Sequence, residues 1–132
     1  MAIARSSVVM LGTDDSTGVT IANNATSADT EVDVLGNNTT LGYGTVYFRY
    51  TSTVTAGTLD VEVHYHRITA QDYNDQIPTE TKRTFVPING SETILVWRMI
   101  PLSRFMSITV KNNATGASAT NVFVGIELFA VS

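Results

Sequence analysis

Cysteine is absent from this 132-residue chain. That absence excludes a disulfide framework, a zinc–thiolate site and a cysteine nucleophile together. Lysine is nearly absent too, standing only at Lys82 and Lys111, and no basic residue lies between Arg5 and Arg49. The net charge is −4, with no cluster of basic residues. Such a chain lacks the footprint that phosphate neutralisation demands, so no nucleic-acid partner is expected. Charged residues make up 15% of the chain, against roughly 25% in ordinary soluble domains, which leaves Thr, Ser, Asn and Gly to supply the polar surface. No apolar run approaches the roughly 18 residues of a membrane-spanning helix, and no membrane partner is expected. The opening Met1–Leu11 has an apolar stretch of only Val8–Leu11 before polar residues resume. It reads as a first strand, not as a targeting segment.

What the chain does have is alternation. No stretch of 10–12 residues shows a helical period, whereas a period of two recurs from end to end. In Thr58–Ile68, Leu59, Val61, Val63 and Tyr65 point one way, and Asp60, Glu62, His64 and His66 the other. In Thr45–Val54, Val46, Phe48 and Tyr50 share one face, opposite Thr45, Tyr47, Arg49, Thr51 and Thr53. Thr55-Ala-Gly57 reads as a hairpin turn between these two strands, and Asn89-Gly90 as the strongest short hairpin signal in the chain. Other strands are expected at Arg5–Leu11, Val19–Ala22, Glu31–Leu35, Thr81–Ile88, Glu92–Met99, Arg104–Lys111 and Asn121–Val131. Gly36-Asn-Asn, Pro101 and Asn112–Gly116 carry turn chemistry between them. Nine short strands at this spacing predict an all-β, single-domain β-sandwich, jelly-roll-like, with a small barrel as the competitor. Gly12–Thr30, rich in Thr, Asn, Ser and Asp, reads as an extended arm, so that residues 1–30 are an N-terminal strand and arm and residues 31–132 the sandwich.

Three strands carry large apolar residues on both faces. Ile94 and Val96 oppose Leu95, Trp97 and Met99; Phe105 opposes Met106, Ile108 and Val110; Phe123, Phe129 and Val131 oppose Val122, Val124, Ile126, Leu128 and Ala130. A two-layer sandwich shows water one face of each strand, so the surplus must meet either the chain's own loops or another subunit. Leu95, Trp97, Phe105, Phe123 and Phe129 are therefore the candidate subunit or capsid interface. The scarcity of lysine bears on the same point, because monomeric sheets commonly guard their edges with it.

Catalytic chemistry finds little support. His64-Tyr-His66 puts two imidazoles on one strand face with Asp60 and Glu62, a spacing at which they can share a metal. The segment is similar to the first histidine motif of cupins, but Gln71 stands where that motif has its carboxylate, and no third histidine exists. A solvated polar strand face is the simpler reading, so no metal and no cofactor are expected. No Gly-x-Ser-x-Gly elbow occurs. The carboxylate pairs Asp14/Asp15, Asp72/Asp75 and Asp60/Glu62 sit in turns or on a polar face, and no catalytic residue is assigned. Among Tyr43, Tyr47, Tyr50, Tyr65, Tyr73 and Trp97, the possible glycan contacts are Tyr47, with Arg49 beside it, and Tyr73.

The closing pattern, Leu102-Ser-Arg-Phe-Met-Ser-Ile-Thr-Val-Lys-Asn-Asn-Ala-Thr-Gly116, a polar loop, then Asn121-Val-Phe-Val-Gly-Ile-Glu-Leu-Phe-Ala-Val131, resembles the small all-β decoration or cement proteins of tailed-bacteriophage heads. The short, Thr/Asn/Ser-rich, cysteine-free chain shares their style. The resemblance covers most of residues 30–132 and rests on no invariant motif. It implies a non-enzymatic virion protein, made in the host cytoplasm, that binds the major capsid protein on the outer head surface as a homo-oligomer, a trimer being favoured. It supplies no catalytic residues. The alternatives are a carbohydrate-binding or adhesin-type module of a tail or fibre, and the major shell protein of a small virus.

Overall fold

Alternation dictates the interior. In β4 (Leu41–Ser52) the inward Val46, Phe48 and Tyr50 are buried, as are Leu59, Val61, Val63 and Tyr65 in β5 (Thr58–Ile68). The computed structural model describes residues 3–13, 17–34, 41–68, 71–72, 82–113 and 115–131. Its other strands are β1 (Ile3–Leu11), β2 (Val19–Ile21), β3 (Val32–Asp33), β6 (Gln71–Asp72), β7 (Lys82–Phe85), β8 (Gly90–Pro101), β9 (Phe105–Asn113) and β10 (Ala119–Val131).

The strands form two antiparallel sheets. The first runs β1-β10-β4-β8, with β2 beside the start of β10. The second runs β3-β9-β5, with β6 and β7 on β5. Setting aside the short β2 and β6, the first sheet holds the first, eighth, third and sixth of the remaining strands, and the second sheet holds the second, seventh, fourth and fifth. That interleaving is the two-Greek-key order of a jelly roll, and the expected all-β sandwich is therefore present. The core lies between the sheets, where Val61, Val63 and Tyr65 pair with Val110, Ile108 and Met106 across the β5–β9 ladder. Phe48 stacks on Tyr50 at 5.3 Å and on Phe85 at 6.1 Å.

Two hairpin expectations are corrected by this order. β4 and β5 lie in opposite sheets, so residues 53–57 carry the chain across the sandwich and do not close a hairpin. Asn89-Gly90 likewise joins β7, paired to β5, with β8, paired to β4. A turn signal specifies that the chain reverses; it does not specify which strand takes up the freed hydrogen bonds. Two core tyrosines hold the crossings. Tyr65 Oη donates to the Pro101 carbonyl at 2.9 Å, and the Ile88 N–H donates to Tyr50 Oη at 3.0 Å.

The described part of residues 1–30 is built into the sandwich and is no free arm. β1 and β2 together line β10. The chain then crosses to β9, where the Asn24 and Ser27 N–H groups donate to the carbonyls of Asn112 and Val110, and Thr26 bridges Lys111. Gly18 makes this weave possible. A Cβ there would lie 2.3 Å from the Asn121 carbonyl carbon, and its N–H donates to Asn121 Oδ1 at 2.8 Å. Asn121 itself adopts φ 51°, a left-handed conformation that asparagine tolerates better than most residues.

Candidate functional site

The surplus apolar residues divide three ways. Trp97 does not share a face with Leu95. The β4–β8 register shifts twice, between Gly44 and Val46 and again between Val46 and Tyr47. Bulges of this kind rotate the strand. Trp97 therefore pairs with inward-facing Val46 and is 5% exposed, whereas Leu95 pairs with outward-facing Tyr47 and is 55% exposed. Phe123 does face outward but is 2% exposed. The Arg49 guanidinium lies over its ring at 5.3 Å, Tyr47 packs at 5.8 Å, and Gly12 closes on it. Phe105 is half-buried on the second sheet, with the Arg104 guanidinium 5.0 Å over its ring while Arg104 Nη2 holds Asp33 Oδ2 at 3.1 Å. Trp97 and Phe123 are thus corrected from surface to interior, and Phe105 is largely covered by its own chain. The Phe129 side chain and all of Tyr73 lie outside the described residues.

Of the exposed large apolar residues among the described ones, Val86 and Ile88 lie between β7 and β8, and Val9, Tyr43, Leu95 and Met99 lie on strands of the first sheet. The registers align Val9, Gly125, Tyr47 and Leu95 in one row across β1, β10, β4 and β8. Val9 is 41% exposed and Leu95 55%. Gly125 lets the middle of the row lie flat, because a Cβ there would come within 2.5 Å of the Tyr47 ring. The row contains no charged residue. Met99, 63% exposed, extends it along β8. Val9 was legible in the sequence, because Ser7 and Val9 alternate with the inward Val8 and Met10. Beside the row sits Arg49, whose Nε and Nη2 are buried without a hydrogen-bond partner among the described residues.

The edge of the sandwich next to β8 is basic. Arg83 on β7 reaches over the Trp97 ring at 5.8 Å and, with Leu95, Met99 and Arg98, lines a shallow groove. The opposite edge, beside β1 and β3, carries Asp29, Glu31 and Asp33.

The histidine face of β5 is occupied by its own neighbours. His64 Nε2 lies 3.1 Å from Thr109 Oγ1, and Asp60 Oδ2 lies 3.8 Å from Lys82 Nζ. The His66 side chain lies outside the described residues, among which no cluster of three metal-ligating groups occurs. Asp14, Asp15 and Asp75, and the side chain of Asp72, also lie outside them.

No protein-family model matches this chain, and no curated protein matches it. Five solved chains do. One belongs to the Bacillus endospore appendages, described as a family of disulfide-linked pili; it is similar over 98% of this chain and 89% of its own, at 13% identity and a TM-score of 0.46.

Proposed function

We propose that this chain is a non-enzymatic structural subunit of a virion, a decoration protein that sits on the outer head surface of a tailed bacteriophage as a trimer. The observation that carries the reading is the uncharged row Val9–Gly125–Tyr47–Leu95, open to water at both ends of the first sheet. A contiguous apolar row on a small domain is a contact surface in waiting. A jelly roll held by buried ladders is a stiff body, and repetition over a shell multiplies weak contacts by avidity. The resemblance of residues 30–132 to decoration proteins supplies the phage head as the setting. Light scattering of the purified chain is expected to give the mass of a trimer of 14.3 kDa subunits. Gold-labelled antibody is expected to mark the heads of virions that carry the chain. A monomer in solution, or label confined to tails, overturns the reading.

A second reading is favoured by one local feature. Tyr47, laid over Gly125 with Arg49 beside it, offers a half-exposed aromatic ring next to a cation, the pairing that stacks on and hydrogen-bonds to a sugar. A glycan array probed with the labelled chain tests it. Binding that disappears in Tyr47→Ala, with the oligomer mass unchanged, would make the chain an adhesin module; no glycan bound at high protein concentration removes this reading.

A further inference from the structure

The first sheet ends in an unpaired strand on each side, β1 and β8, and among the described residues no strand lies beyond either. Among the described residues, no strand takes up the outward N–H and C=O groups of either edge, which makes each a template for another strand. Lysine is the usual guard against such pairing, and neither β1 nor β8 contains one. β8 is instead bent by its bulges and stopped by Pro101, which leaves Gly90–Leu95 as its regular, pairable part.

Three features select the occupant. The uncharged row ends at both edges, in Leu95 on β8 and Val9 on β1, so a second copy placed alongside continues the row from Leu95 to Val9. Every junction within the sheet is antiparallel. β1 and β8 therefore run in opposite directions, and two copies the same way up meet as an antiparallel pair. Charge supplies the polarity. Arg83 and Arg98 flank the β8 edge beside Lys82, which Asp60 holds, and Glu92 is the one acid of that strand. Asp29, Glu31 and Asp33 flank the β1 edge, with Arg104 taken by Asp33 and with Arg5 on β1. A two-fold contact of β8 with β8 would set like charges face to face, whereas a head-to-tail contact sets unlike ones together.

We propose that β8 of one copy pairs antiparallel with β1 of the next, so that copies join head to tail through their first sheets and close into a ring. This rests on the self-association proposed above and names its surface. Heterologous contacts close into rings when the rotation permits and otherwise extend as fibres.

The native absence of cysteine makes a directional test clean. Leu95→Cys and Val9→Cys are prepared separately, both at exposed positions, and mixed with a short bis-maleimide that tolerates an offset in register. The mixture is expected to cross-link to dimers, while each variant alone stays uncross-linked. Leu95→Lys is expected to reduce the light-scattering mass to that of one 14.3 kDa chain with an unchanged circular dichroism spectrum. Cross-linking of Leu95→Cys with itself shows a two-fold β8 contact and overturns the inference. An oligomer that forms no cross-link in the mixture overturns it while leaving the trimer reading standing. A wild-type monomer removes both.

Discussion

Trp97→Ala is expected to cost about 3–5 kcal/mol of folding stability, the usual penalty for emptying a large aromatic site in a packed core. The indole is 5% exposed and stands among the core side chains, on the inward side of β8 opposite Val46. A loss of that size takes a large share of the roughly 5–15 kcal/mol that holds a domain of this class folded. Leu95→Ala and Met99→Ala, at the two neighbouring odd-numbered positions, should stay within about 0.5 kcal/mol at protein concentrations where the chain is dissociated, because both side chains already stand in water in the single chain. Urea titrations of the three variants, followed by circular dichroism, make the comparison. Because Trp97 is the only tryptophan, the emission of the folded wild type supplies an independent reading and should be that of an indole shielded from water. If Trp97→Ala unfolds at the wild-type midpoint and only the oligomer mass changes, the indole belongs to an interface and the register of β8 is wrong.

Asn112→Ala is expected to cost roughly 3 kcal/mol, more than most polar substitutions, because three buried hydrogen bonds of one side chain are lost at once. Asn112 is fully buried at the end of β9. Its Nδ2 donates to the Ile21 carbonyl at 3.0 Å and to the Ala117 carbonyl at 2.7 Å, and its Oδ1 accepts from the Thr115 hydroxyl. One side chain thus ties β9 to the end of β2 and to the loop before β10. Alanine would take the Asn112 donor from the Ile21 and Ala117 carbonyls and the acceptor from the Thr115 hydroxyl, which keeps the Ala117 carbonyl, 2.8 Å away, as its partner. Asn112→Asp should be at least as harmful, because it replaces the donor of two bonds by a carboxylate oxygen in a buried site. Thr115→Ala removes a hydroxyl that donates to Asn112 Oδ1 and the Ala117 carbonyl and accepts from the Ala117 N–H, and should cost about 1–2 kcal/mol. Chemical denaturation with an unchanged slope is the measurement. Asn112→Ala within a few tenths of a kcal/mol of the wild type would falsify the role given to this side chain.

Neither effect could be read from the residue pattern. Leu95, Trp97 and Met99 stand two apart, and a regular strand would place all three on one side. The bulges in β8 exist only against β4, so they leave no local mark and the alternation misplaces Trp97. Phe123 was placed on the correct face, yet Arg49, Tyr47 and Gly12, brought from β4 and from the end of β1, roof it over. Asn112 stood in a stretch rich in turn residues and reads as a surface asparagine. Its burial follows from residues 24–27 pairing with β9 from far along the chain.

The sequence alone determined the all-β class, nearly every strand, the inward faces of β4 and β5 and the outward Leu95, because a pleat turns side chains over at every residue whatever lies beside it. Tertiary structure decided which strands pair, which bulges rotate a face, and which apolar groups stay uncovered. Those outcomes depend on contacts between segments distant in the chain, and composition and spacing carry no record of them.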